Sequence, residues 1–148
     1  MPIEITDWHV QLVRAFVTQD IETLKPMLPY MPKAGDPGAN EPDGTSLLLR
    51  AMFFEACRRR FADGTRADVI RFVAHARVRR GRNAVQIDPA VAEKLILEAL
   101  TATPAEGLTE MQRSQHIILL CELIEDENPT WGRLDEYLAT ARTRAAGA

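Results

Sequence analysis

The sequence of 148 residues lacks the signals of several common protein classes. Its only two cysteines, Cys57 and Cys121, lie on separate apolar segments, which favours buried free thiols in a reducing compartment over a disulfide. The longest apolar runs, 51–54 and 117–121, fall far short of a membrane span. The first ten residues have neither the basic nor the apolar region of a signal peptide. A soluble protein of the cytoplasm is therefore expected.

The motifs of nucleotide binding and of common catalysis are also missing. No glycine-rich phosphate loop occurs, so neither dinucleotides nor nucleoside triphosphates are indicated. The two serines, Ser46 and Ser114, lie outside the GxSxG pattern of a hydrolase nucleophile. None of the three histidines (His9, His75 and His116) has another histidine three or four positions away, as a zinc or di-iron helix would. The sequence predicts no enzyme, no cofactor and no metal ion.

Strand patterns are almost absent, whereas apolar residues recur at helical spacing along most of the chain. Capping residues mark several helix starts, including Asp88 before Pro89 and the pair Thr109 and Gln112. These signals predict about seven helices, beginning near residues 6, 20, 45, 65, 88, 109 and 130. The third, about 45–61, is apolar nearly all round, which is typical of a buried central helix. We expect an all-α fold, a compact single-domain bundle around this third helix that includes residues 1–148.

Residues 29–44 form the one long segment without a helical pattern. The segment reads PYMPKAGDPGANEPDG, with four prolines and three glycines, a composition that argues against regular structure. Loops of this length in compact domains are either functional or mobile. We expect an exposed, flexible loop, and a small-molecule-binding helical domain lidded by it is one alternative function.

Positive charge is concentrated in one part of the chain. Residues 50–82 hold ten arginines against three acids, a balance of +7 in a chain whose net charge is −3, so the rest carries −10. The candidate surface residues are Arg58, Arg59, Arg60, Arg71, Arg77, Arg79, Arg80 and Arg82. Cations are favourable at helix C-termini, which explains their placement but not their number. The use of fifteen arginines against three lysines is typical of a GC-rich bacterial genome.

One hypothesis for this surface is DNA binding. The third and fourth helices, within residues 45–82, have the spacing of a helix-turn-helix, with Arg66 and Arg71 facing the groove. Asp68, however, lies at the head of the supposed recognition helix, where it would repel phosphates. The net negative charge of the chain also differs from that of most nucleic-acid binders. Nucleic acid is therefore the disfavoured partner.

The favoured hypothesis is that the basic surface meets an acidic one. Glu125, Asp126 and Glu127 close the sixth helix, and Asp135 and Glu136 follow on the seventh. Consecutive acids at a helix C-terminus are locally unfavourable unless positive charge lies nearby. Complementary clusters of this kind pair either within one chain or across a homodimer. We therefore expect a non-enzymatic protein–protein interaction or oligomerisation module.

Overall fold

The computed structural model describes residues 4–30, 44–62, 64–126 and 131–146. All regular structure in these ranges is helical and none is strand, so the predicted all-α fold is confirmed. The α-helices are α1 (Asp7–Thr18), α2 (Ile21–Leu24), α3 (Gly44–Phe61), α4 (Arg66–Arg80), α5 (Pro89–Thr101), α6 (Glu110–Arg113), α7 (Gln115–Asp126) and α8 (Trp131–Ala146). Two 3-10 helices, Lys25–Tyr30 and Gly81–Gln86, follow α2 and α4. Within these ranges, every helix is too short or too polar to cross a membrane.

The helices divide into two compact units. The first unit contains Met1–Ala51 and Trp131–Ala148, and the second contains Met52–Thr130. In the first unit α1 packs against α2 and α8, and in the second α5 packs against both α4 and α7. The prediction of one domain over the whole chain stays a prediction.

α3 begins in the first unit and ends in the second, and its apolar side chains are largely buried. The fully buried ones are Leu48, Met52, Phe53 and Cys57. Arg50 and Arg60 are exposed on the same helix, so α3 has a solvated side. Its predicted role as the buried centre of the bundle stays a prediction.

The capping residues read from the sequence start helices where expected. The Asp88 carboxylate accepts hydrogen bonds from the backbone N–H groups of Ala90 and Val91, at 2.9 and 3.3 Å, and Pro89 is the first residue of α5. At α6, the Thr109 hydroxyl oxygen accepts from the N–H of Gln112, whose side chain accepts from the N–H of Thr109. Both caps satisfy N–H groups that a helix cannot pair internally.

The segment predicted as one sixth helix is two helices, α6 and α7. They are separated at Ser114, whose hydroxyl donates to the carbonyl oxygen of Met111 at 2.6 Å. A serine side chain that binds a carbonyl three residues earlier competes with the helical ladder, which is consistent with the break.

The bounds of the loop predicted at 29–44 differ from those in the structure. Pro29 and Tyr30 belong to the first 3-10 helix and Gly44 opens α3, while the intervening residues 31–43 lie outside the described residues.

The start of α1 and the start of α3 meet within the first unit. The N–H of Thr6 donates to Nδ1 of His9 at 3.0 Å, which closes the N-terminal cap of α1. A Cβ atom on Gly44 would lie only 2.6 to 2.8 Å from three atoms of the His9 ring. Because the ring is held by the cap, it cannot move aside without losing that hydrogen bond. Glycine is therefore required at position 44, because the His9 ring lies too close to leave room for a side chain.

We expect Gly44→Ala to lower the free energy of unfolding by about 1–3 kcal/mol, the usual cost of overpacking. The sign is informative, because alanine normally stabilises a helix over glycine by up to about 1 kcal/mol. Urea unfolding of the variant checks this expectation. The matched control is the same substitution in a His9→Ala background, where the ring is absent and alanine should be neutral or stabilising. A more stable Gly44→Ala protein in the wild-type background would refute the contact.

Candidate protein-interaction surface

α4 begins at a well-formed cap that uses its one acidic residue. The N–H of Thr65 donates to the Asp68 carboxylate at 2.7 Å. This backbone hydrogen bond holds the pKa of Asp68 below its usual value, and the nearby Arg71 and Arg60 act in the same direction. The buried face of the helix consists of Val69, Phe72, Val73 and Ala76. The opposite face is therefore left to solvent.

That exposed face carries aligned apolar side chains. Ile70 is 45% exposed and Val78 is 79% exposed, and the exposed Ala74 lies between them. These positions are four residues apart, so they lie along one side of the helix. We call Ile70, Ala74 and Val78 the α4 stripe. Scattered exposed apolar residues are ordinary, but a row of them on one helix face is a feature of interaction surfaces.

The 3-10 helix after α4 folds back against it and adds a further apolar side chain. Nε of Arg77 donates to the carbonyl oxygen of Ala84 at 3.4 Å, and Nη1 of Arg80 donates to the Gln86 side chain at 3.0 Å. Between these two anchors lies Val85, which is 82% exposed. The exposed apolar surface thus continues beyond the last turn of α4.

Exposed arginines accompany the stripe. We call Arg66, Arg71 and Arg82 the arginine rim, since all three are exposed and lie along α4 or directly after it. Arg71 is 70% exposed at its side chain, and among the described residues it pairs with one acid, Asp68, at 3.7 Å. An exposed pair at that distance contributes little to stability, so Arg71 can be redirected to a partner at small cost.

Two further arginines of α4, Arg79 and Arg80, pair within the second unit with a buried acid, Glu122 of α7. Oε2 of Glu122 lies 2.9 Å from Nη2 of Arg79, and Oε1 lies 2.9 Å from Nε of Arg80. The second is an ionic contact without hydrogen-bond alignment, because Nε of Arg80 does not point at the oxygen. One buried carboxylate thus meets two guanidinium groups and joins the end of α4 to α7.

The structure gives the three arginines at the end of α3 separate surroundings. Nε of Arg59 donates to Glu55 one turn earlier at 2.9 Å, and the guanidinium of Arg60 lies 5.1 Å from the centre of the Phe61 ring. Arg58 is half-buried. Stacking on an aromatic ring is a common arginine environment and is consistent with a local role.

The acidic residues that the sequence predicts as partners of the arginines have different surroundings from one another. Glu125 is exposed, whereas the side chain of Asp126 and all of Glu127 lie outside the described residues. Among the described side chains of α7, the acid that pairs with arginines of α4 is Glu122, three residues before Glu125. Asp135 pairs with Arg14 of α1 at 2.9 Å, within the first unit. Pairing of the arginine clusters with the acids at 125–127 and 135–136, within one chain or across two, stays a prediction.

Three buried glutamates were not predicted from the sequence: Glu55, Glu98 and Glu122. Each lies within hydrogen-bonding or ion-pairing distance of at least one arginine of the second unit. The signal for Glu98 and Glu122 is their position inside otherwise apolar helical runs, where a charged residue needs a partner.

Both cysteines are free thiols. Cys57 is buried, and burial raises its pKa; Cys121 is half-buried, and burial raises its pKa to about 11. A thiol is reactive as the thiolate, so both groups are neutral and slow to react near pH 7.

We expect alkylation of Cys121 by iodoacetamide in the folded protein to be about 100-fold slower at pH 8 than in the urea-unfolded chain, from the thiolate fraction alone. Because the pKa is raised, the rate should still be increasing at pH 10. The unfolded control should reach half its maximal rate near pH 8.5 and level off by about pH 10, and peptide mass spectrometry separates Cys121 from Cys57. A rate in the folded protein that levels off by about pH 10, as in the unfolded control, would contradict the raised pKa.

Comparison of the chain with known protein families, with characterised proteins and with solved structures finds no match. Across the part of the chain that the structure describes, no three His, Cys, Asp or Glu side chains come together as a metal site would require. The α4 stripe with its arginine rim is therefore the feature from which a function is proposed.

Proposed function

We propose that this chain is a non-enzymatic protein-interaction module that docks its partner on the exposed face of α4. The observation that carries the proposal is the α4 stripe flanked by the arginine rim. An apolar centre with charged residues around it is the usual anatomy of a protein interface, and arginine is enriched there. The apolar contact supplies affinity, whereas the charges supply orientation and a faster encounter.

The side chains of this face indicate what kind of partner surface would fit it. The stripe requires apolar side chains spaced to lie along one helix, and the rim requires carboxylates beside them. A partner surface with an apolar contact and acidic edges meets both requirements, and an acidic amphipathic helix is the simplest probe of it.

A helix-turn-helix DNA binder within residues 45–82 is the second candidate. The observation that favours it is that Arg66 and Arg71 are exposed in the first half of α4, the half that contacts bases in such proteins. Ile70 lies between them and the chain carries a net charge of −3, and both features favour a protein partner.

The test is an NMR titration of the isotopically labelled protein with three probes. The first is a synthetic amphipathic helix of about 18 residues with leucines on one face and glutamates elsewhere. The second replaces each glutamate by lysine, and the third is a DNA duplex of about 20 base pairs. We expect the acidic peptide alone to shift the amide signals of α4 and of residues 81–86, with binding weakened by salt.

Two variants make the titration specific. Val78→Asp should weaken binding of the acidic peptide at least about 10-fold, because it places a negative charge at the most exposed position of the stripe. Ile21→Asp is the matched control, an exposed apolar residue of the first unit, and should leave binding unchanged. Equal binding to both variants would reject the proposal. Salt-sensitive DNA binding that shifts Arg66 and Arg71, without peptide binding, would transfer the function to the second candidate.

A further inference from the structure

The second unit carries another exposed apolar side chain, and this one has acidic neighbours. Met111 of α6 is 82% exposed. Glu110 precedes it, and Glu106 lies five residues earlier in the loop between α5 and α6; both are exposed. We call Glu106, Glu110 and Met111 the acidic knob. Its composition, one apolar side chain beside two carboxylates, complements that of the α4 stripe and its arginine rim.

The loop that carries the knob is held in place by the buried acid Glu98. The N–H of Ala105 donates to Oε2 of Glu98 at 2.9 Å, and Nη1 of Arg113 lies 3.2 Å from the same oxygen. Arg113 also donates from Nη2 to the carbonyl oxygen of Ala105. Residues on both sides of the knob are thus tied to one buried carboxylate. A surface that is ordered beforehand loses less conformational entropy when it binds.

We infer that the partner of the α4 stripe is the acidic knob of a second copy of this chain. This inference rests on the proposed function, to which it adds the identity of the partner. Met111 supplies a flexible apolar side chain that adapts to a surface of β-branched residues, and the two glutamates meet the arginines of the rim. Both surfaces belong to the same unit, so every copy offers one of each. Reciprocal exchange about a two-fold axis closes the pair as a dimer.

The experiment is sedimentation velocity over a concentration series, with two charge-reversed variants. The rim variant carries Arg71→Glu and Arg82→Glu, and the knob variant carries Glu106→Lys and Glu110→Lys. We expect the wild-type protein to pass from one chain to two as concentration rises, and each variant to associate at least about 10-fold more weakly. Circular dichroism of each variant is the control that checks whether it remains folded.

Mixing the two variants provides the decisive arm. In the mixture each reversed surface meets a complementary one, because a lysine knob faces a glutamate rim and the original knob faces the original rim. We expect the mixture to regain the association that each variant alone has lost. Failure of the mixture to associate, with both variants folded, overturns the inference.

Two further variants test the apolar contact and the role of Glu98. Met111→Ala should weaken association about 5- to 10-fold. At a protein concentration where the wild-type chain is monomeric, the acidic peptide should still bind α4 of this variant with its original affinity. Glu98→Gln should weaken association severalfold by loosening the knob, again with peptide binding unchanged. A wild-type protein that is monomeric at all concentrations yet binds the peptide overturns this inference and leaves the proposed function standing. A protein that does neither overturns both.

Discussion

Glu122→Ala is expected to lower the free energy of unfolding by about 2–4 kcal/mol. Removal of one member of a buried ion pair usually costs about 3–5 kcal/mol, since the other charge is left without compensation. Here two guanidinium groups, those of Arg79 and Arg80, would face each other without the carboxylate between them. Both are partly exposed and can regain some water, which places the expected cost below the upper limit.

Urea unfolding measures this loss, and α7 offers a matched control. Glu125 lies on the same helix three residues later and is exposed, so Glu125→Ala should change stability by less than about 0.5 kcal/mol. Equal effects of the two substitutions would show that Glu122 does not fasten α4 to α7.

The second large effect is expected for Glu98→Ala, again about 2–4 kcal/mol. This substitution leaves Arg113 without its carboxylate and the N–H of Ala105 without its acceptor, and an unsatisfied buried group costs about 1–3 kcal/mol. Part of the loss of stability should be confined to the loop that contains Ala105. Hydrogen exchange at Ala105 should accelerate by more than exchange in the middle of α5, because the loop is released while the helix keeps its backbone ladder.

Glu93→Ala, on the same helix but half-exposed, is the control for that substitution. It should change neither the unfolding midpoint nor the exchange rate of Ala105 appreciably. If Glu93→Ala and Glu98→Ala had the same effect on Ala105 exchange, the loop would not depend on the buried carboxylate.

The partners of these two glutamates could not be predicted from the sequence. Helix starts such as Asp88 and Thr109 were predictable because a cap depends on residues only two or three positions apart. The partners of Glu122 lie about 40 residues away in the chain, for example 43 positions for Arg79. Only the packing of α4, α5 and α7 brings them together, so the sequence indicated the charges but not their pairs.

Only part of the candidate surface could be predicted from the sequence. The helical spacing of Arg71 and Arg79 indicates a polar side of α4, and both residues are exposed while Phe72 on the other side is buried. The sequence gives no comparable signal for the exposure of Ile70 and Val78, because an apolar residue beside a core face is easily assigned to the core. Their exposure depends on where α5 covers α4, which periodicity within α4 alone does not determine.

The most direct measurement of the central claim is photo-crosslinking from Val78 of the α4 stripe. The protein carries Val78→p-benzoylphenylalanine, and labelled and unlabelled chains are mixed so that contacts between copies can be distinguished from contacts within one. We expect cross-links from position 78 to residues 105–111 of a second copy, suppressed by excess acidic peptide. The same probe at position 21 should give none of these products. Absence of cross-links from position 78 to a second copy in the mixed protein, together with absence of cross-links to the acidic peptide when it is added, would contradict the assignment of α4 as a docking surface.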